Sequence, residues 1–132
     1  MAAQDRAGTY RRAVAELRAG RKQSHWMWFV FPQIAGLGSS PMAQEFAIGS
    51  LTEARAYLAH PVLGPRLAEC SRLLNAAAEG TSAAEIFGPV DAMKLRSSMT
   101  LFAAAATQEP SFNDVLTRYF DGEPDQATLE RL

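Results

Sequence analysis

Lys22, His25, Trp26, Trp28 and Gln33 crowd one short stretch of the chain. An ammonium group binds oxyanions as a point charge, indoles offer flat faces for stacking, and a carboxamide both donates and accepts. His25, beside two tryptophans, is the candidate catalytic residue, a general base desolvated by the indoles. The plainer alternative is a core histidine with both ring nitrogens bonded. A little further on, Gly36-Leu37-Gly38-Ser39-Ser40-Pro41 offers two flexible glycines, two hydroxyls and a proline that opens a helix. Backbone amides at a helix start attract anions, so Gly38, Ser39 and Ser40 are a candidate anion cradle. The alternative is a loop that merely caps the helix. A third group is Asp91, Lys94, Ser97 and Ser98, which helical spacing turns roughly one way. Lys22 and Lys94 are the two lysines of an arginine-rich chain, and both fall in these groups. The candidate ligand-binding set is therefore Lys22, Trp26, Trp28, Gln33, Gly38, Ser39, Ser40, Lys94 and Ser98. For the third group the alternative is a solvated ion pair with serines bonding back to their helix.

Other chemistries lack their residues. Two histidines far apart, a single cysteine at Cys70 and no carboxylate pair at ligand spacing argue against a metal site. The glycine loop is not a dinucleotide fingerprint, because Pro41 occupies the third glycine position, and it lacks the Gly-Lys-Ser/Thr ending of a phosphate loop. There is no nucleophile elbow and no cysteine–histidine motif. No cofactor is expected. His60-Pro61 reads as helix-end chemistry, with the imidazole near the last carbonyls.

The elements that would hold these groups must come from a chain of 132 residues, one domain's worth. Hydrophobic residues make up 48% and charged residues 20%, enough for a core without staples. A net charge of −1 is too balanced for a dedicated nucleic-acid or membrane-surface binder. The first 22 residues are basic and the last 26 acidic, which suits either a contact between the ends or an amphoteric surface. With no membrane-length apolar stretch, no apolar leader and one cysteine, a cytoplasmic protein is expected.

Patterning reads helix nearly throughout. Tyr10, Ala13, Val14 and Leu17 share a face that Gly20 terminates. Pro41 opens a short helix. Ser50–Glu53 and Ser82–Glu85 are capping boxes, the first leading a helix that ends before Pro61 and the second a short turn closing at Gly88. Pro65 stands near the start of a longer helix that carries Leu67, Cys70, Leu73, Leu74 and Ala77 inward and stops at Gly80. Leu95, Met99, Phe102, Ala103 and Ala106 mark a helix over about 90–106. Ser111 opens the next, which Gly122 stops. Asp125 caps a last short helix that carries Leu129 and Leu132. The run Trp26–Phe31 holds four of the twelve aromatics. Aromatics favour a strand there, but with Ser24 as cap, Pro32 as stop and no second strand to pair with, the reading is a short helix buried on all sides. The expected fold is all-α, six to eight short helices in one domain over 1–132, with 1–9 as a flexible lead.

Several strings carry a family resemblance: Lys22-Gln23-Ser24-His25-Trp26-Met27-Trp28-Phe29-Val30-Phe31-Pro32-Gln33 with Gly36-Leu37-Gly38; Glu53-Ala54, Tyr57-Leu58 and His60-Pro61; Leu63-Gly64 and Arg66-Leu67. Ile86-Phe87-Gly88, Asp91, Lys94, Ser97-Ser98-Met99-Thr100-Leu101-Phe102, Gly122, Asp125 and Thr128 extend it. From about Tyr10 onward the chain resembles the bacterial, fungal and plant domain of unknown function 1810, at times mislabelled calpastatin. Met1 to Thr9 is shorter and more divergent than that family's usual lead. The resemblance implies an all-α, helical-repeat-like fold with α-superhelical packing. It brings no established reaction, so whether the protein is an enzyme stays open at this point.

Two functions fit these residues. One is binding of a small anionic, nucleotide-like ligand in a pocket with an aromatic wall, with hydrolysis as its reaction class. The other is a non-catalytic interaction module of packed helices, its partner another protein or a second copy of the chain.

Overall fold

The computed structural model of the protein describes residues 8–37, 40–77 and 80–132. Nine helices are present among them: α1 Thr9–Ala19, α2 Met27–Val30, α3 Pro41–Glu45, α4 Leu51–Ala59, α5 Leu63–Asn75, α6 Ala83–Phe87, α7 Pro89–Ala105, α8 Pro110–Phe120 and α9 Gln126–Leu129. The all-α, single-domain expectation holds. Of the lead expected to be flexible, 1–7 lies outside the described residues, while Gly8 and Thr9 already open α1.

Local signals place most helix ends. Ser82 forms a complete capping box with Glu85, and Asp125 accepts from the Thr128 amide to start α9. At Ser50 the box is only half made. Its hydroxyl accepts from Glu53 N, but the Glu53 carboxylate turns to the Gly49 amide instead. α8 begins one residue earlier than expected, with Pro110 in its first turn, and the Ser111 hydroxyl donates to Glu109. α5 ends at Asn75, short of Gly80. His60 also differs from expectation. Its Nδ1 accepts from the amides of Val62 and Leu63, so the imidazole caps the helix that follows rather than the one before.

The helices pack with α7 as the hub. It touches α4, α6, α8 and α9, while α5 bridges α1, α2, α4 and α8. Every residue from Ser97 to Phe102 is buried, so this stretch of α7 is covered on all sides. Two of its polar members bond locally: the hydroxyls of Ser97 and Thr100 donate to carbonyls one turn back. Leu129 and Leu132 are exposed. Thr128 is the buried residue of α9, its hydroxyl donating to Asp125.

The run from Trp26 to Phe31 does contain a one-turn helix, but not one buried on all sides. Trp26, Met27, Val30 and Phe31 are buried, and Trp28 and Phe29 are half-buried. Trp26, Phe31 and Phe87 form a cluster with each ring centroid 6.2 Å from the other two. On the other side Phe29 meets Phe46 edge-to-face at 4.7 Å. Ser24 does not cap this helix, because its hydroxyl is taken by Glu16.

Candidate functional site

The loop between α1 and α2 carries Lys22 and His25, and one carboxylate holds it. The Glu16 side chain, in the last turns of α1, accepts from the backbone amides of Gln23 (2.6 Å) and Ser24 (2.9 Å), the Ser24 hydroxyl (2.5 Å) and the Trp26 indole N–H (2.9 Å). Burial alone would raise the Glu16 pKa. The bonds from Ser24, Gln23 and Trp26 outweigh that and hold it at about 2, below the ordinary 4.5. Glu16→Gln is therefore expected to cost about 1.5–3 kcal/mol at neutral pH, the contribution of hydrogen bonds to a charged group. A carboxyl whose folded pKa is depressed stabilises fully above its unfolded pKa. That stabilisation fades as pH falls from about 4.5 towards about 2, where the unfolded state takes the proton first. Urea midpoints of the two proteins should differ by a constant amount at neutral pH and converge below about pH 4.5. A gap independent of pH would contradict the clamp.

A second tie aims the same loop at α7. The Lys22 amide donates to the Ile86 carbonyl at 2.6 Å, next to the Gly88-Pro89 junction where α7 begins. Asp91 lies in the first turn of α7, where a helix favours negative charge. Lys22 Nζ meets Asp91 Oδ2 at 2.9 Å, and Lys94 Nζ approaches Oδ1 at 3.4 Å. The two lysines and one aspartate form a largely buried group with a formal charge of +1. Lys22 Nζ also stands 5.4 Å from the Trp26 ring centre, and Lys94 Nζ 4.7 Å from that of Trp28.

Lys94 forms one edge of a narrow cleft of about 10 Å³ whose other lining residues are Met27, Trp28, Phe31, Gln33, Ala43 and Phe46. The far wall is positioned by an isolated parallel bridge between Ile34 and Ile48. Ile48 N donates to the Gln33 carbonyl and Ala35 N to the Ile48 carbonyl, both at 2.8 Å.

The expected site residues thus separate. Lys94, Trp28 and Gln33 line the cleft, and Lys22 joins them through Asp91. Trp26 is fully buried and does not line the cleft: it is core, with its indole N–H satisfied by Glu16. His25 is exposed, so neither the desolvated base nor the buried core histidine describes it. Gly38 and Ser39 lie outside the described residues. Ser40 caps α3 through the Ala43 amide at 3.1 Å, and a helix of five residues carries little aligned dipole for an anion cradle. Ser98 is fully buried in α7, apart from the cleft lining. Among the described residues, the lining offers no nucleophile–base pair. Asp91, placed with Lys94 in the third group, is brought to both lysines. Phe46 and Glu16 were in no expected group, and no sequence signal pointed to them.

Fold and site together define a small all-α domain in which a buried central helix presents a lysine to an aromatic cleft. The chain belongs to the family described as protein of unknown function (DUF1810), whose model matches residues 1–132. Among solved structures it is similar to the conserved hypothetical protein Rv1873 from Mycobacterium tuberculosis. The two share 55% identity over 98% of this chain and 91% of that one, with a TM-score of 0.93. No curated protein matches the chain. Among the described residues, no helix is long and apolar enough to cross a membrane.

Proposed function

We propose that the protein binds a small anionic ligand in the cleft between α2, α3 and α7, with Lys94 on the anion and Trp28 against the ligand's body. The supporting observation is the meeting of both lysines with Asp91 beside Trp28 and Gln33, from three separate stretches of chain. Asp91 can neutralise only one of the two ammonium groups, which leaves a net positive charge at the cleft edge. Pockets for drug-sized ligands run to about 300–1,000 Å³. At about 10 Å³ the cleft admits about one water-sized group, so the nucleotide-like ligand narrows to one whose oxyanion enters the cleft while a small apolar or planar body stays at its mouth. Binding is the proposal, and hydrolysis is no part of it.

A thermal-shift series with acetate, benzoate, inorganic phosphate and phenyl phosphate at constant ionic strength tests this reading. A ligand at a hundredfold excess over its dissociation constant stabilises by about 2.7 kcal/mol, on the order of 10 °C for a chain of this size. Lys94→Gln should abolish the shift while leaving the unliganded protein folded, because Asp91 keeps Lys22 as its partner. A shift that survives Lys94→Gln, or none with any probe, would refute the proposal.

A second reading, docking of a protein partner, is favoured by Val90 and Met93. These α7 side chains are 66% and 71% exposed, and they neighbour Asp91 and Lys94 in the helix. Concentration-dependent sedimentation that changes in Met93→Glu and not in Lys94→Gln would favour it.

A further inference from the structure

We infer that the Trp28 indole N–H is a hydrogen-bond donor to the ligand, which must present a carboxylate or phosphate oxygen to it; this rests on the anion-binding reading above. The two tryptophans stand in opposite circumstances. Trp26 Nε1 donates to Glu16 at 2.9 Å, so the chain commits a carboxylate to it. Trp28 Nε1 is also shielded from solvent, yet no group among the described residues accepts from it. A buried donor without an acceptor costs about 1–3 kcal/mol, so native proteins seldom retain one without a role. Trp28 stands in the cleft wall, and the Lys94 ammonium lies 4.7 Å from its ring centre. Lys94 has three N–H donors, and Asp91 Oδ1 lies 3.4 Å from its ammonium. An oxyanion with two or three acceptor oxygens satisfies the ammonium and the indole together. A neutral aromatic ligand would use the Trp28 face and leave its N–H unpaired, so the donor selects for the oxyanion.

The test isolates the donor from the ring. Trp28→benzothienylalanine keeps the bicyclic shape and replaces N–H by sulfur. Titration calorimetry of benzoate and phenyl phosphate should show affinity for the tighter probe falling about tenfold relative to the unaltered protein, the worth of one charge-assisted bond. The preferred probe identifies the oxygen as carboxylate or phosphate. Should the variant fail to fold, the unaltered protein still reports through its two indole N–H resonances in a proton–nitrogen correlation spectrum. The Trp28 resonance should move downfield on adding the probe while that of Trp26 stays in place. Lys94-dependent binding with unchanged affinity in the variant, or with a stationary Trp28 indole signal, overturns the inference and leaves the proposed function standing. No binding of either probe to the unaltered protein overturns both.

Discussion

Trp26→Ala is expected to destabilise the protein by about 3–5 kcal/mol, the usual cost of truncating a fully buried aromatic side chain. Trp26 is completely inaccessible, its ring meets those of Phe31 and Phe87, and its N–H ends on Glu16. The substitution opens a cavity beneath α2 and takes one donor from a partly buried carboxylate. Domains of this kind are stable by only about 5–15 kcal/mol, so the loss is a large share of the total. Trp28→Ala, by contrast, removes a half-buried side chain from the edge of a cleft and should cost clearly less. Urea denaturation of the two variants distinguishes a structural tryptophan from a ligand-facing one. Equal losses would contradict the assignment.

Gly64→Ala is the second large effect. Gly64 sits at the start of α5, where the chain turns back from α4, and it is buried. A Cβ there would lie 2.0 Å from the Leu58 carbonyl oxygen and 2.8 Å from the carbonyl carbon. Those are backbone atoms of α4, so no side-chain rotation relieves the contact. The α4–α5 connection would have to open, against the bonds that His60 Nδ1 accepts from Val62 and Leu63. Overpacking commonly costs about 1–3 kcal/mol, and a clash with rigid backbone belongs at or above the upper end. The melting temperature should fall by on the order of 10 °C. A fall of only a degree or two would mean that the α4–α5 junction yields easily.

The sequence exposes local structure more readily than the site. Helix starts at Ser40, Ser82 and Asp125 are legible because the cap and the amide it serves lie within three residues. The stripe Leu95, Met99 and Phe102 is legible because helical periodicity alone puts those residues on one side. Trp26 and Trp28 cannot be told apart in the same way. They sit two positions apart in an unbroken apolar run, and a helical turn of 100° per residue sends them to nearly opposite sides. Which side faces the core is decided by Phe87, much later in the chain, and by the reach of Glu16 across a loop of variable shape. The pairing of Lys22 with Asp91 is likewise tertiary, set by the bond from the Lys22 amide to the Ile86 carbonyl. His25 shows the converse error: adjacency to Trp26 suggested burial, but its side chain leaves the run before the helix begins.

The central claim, that Lys94 and Trp28 form an anion site, is tested most directly by a crystal structure with the small oxyanion that raises the melting temperature most. The account predicts electron density for the oxyanion in the cleft, with one oxygen about 3 Å from Lys94 Nζ, within hydrogen-bond distance. The ligand's body should lie against Trp28 and Phe46. Density at another surface, or an ammonium of Lys94 turned wholly to Asp91 with the cleft closed over Trp28, would contradict it.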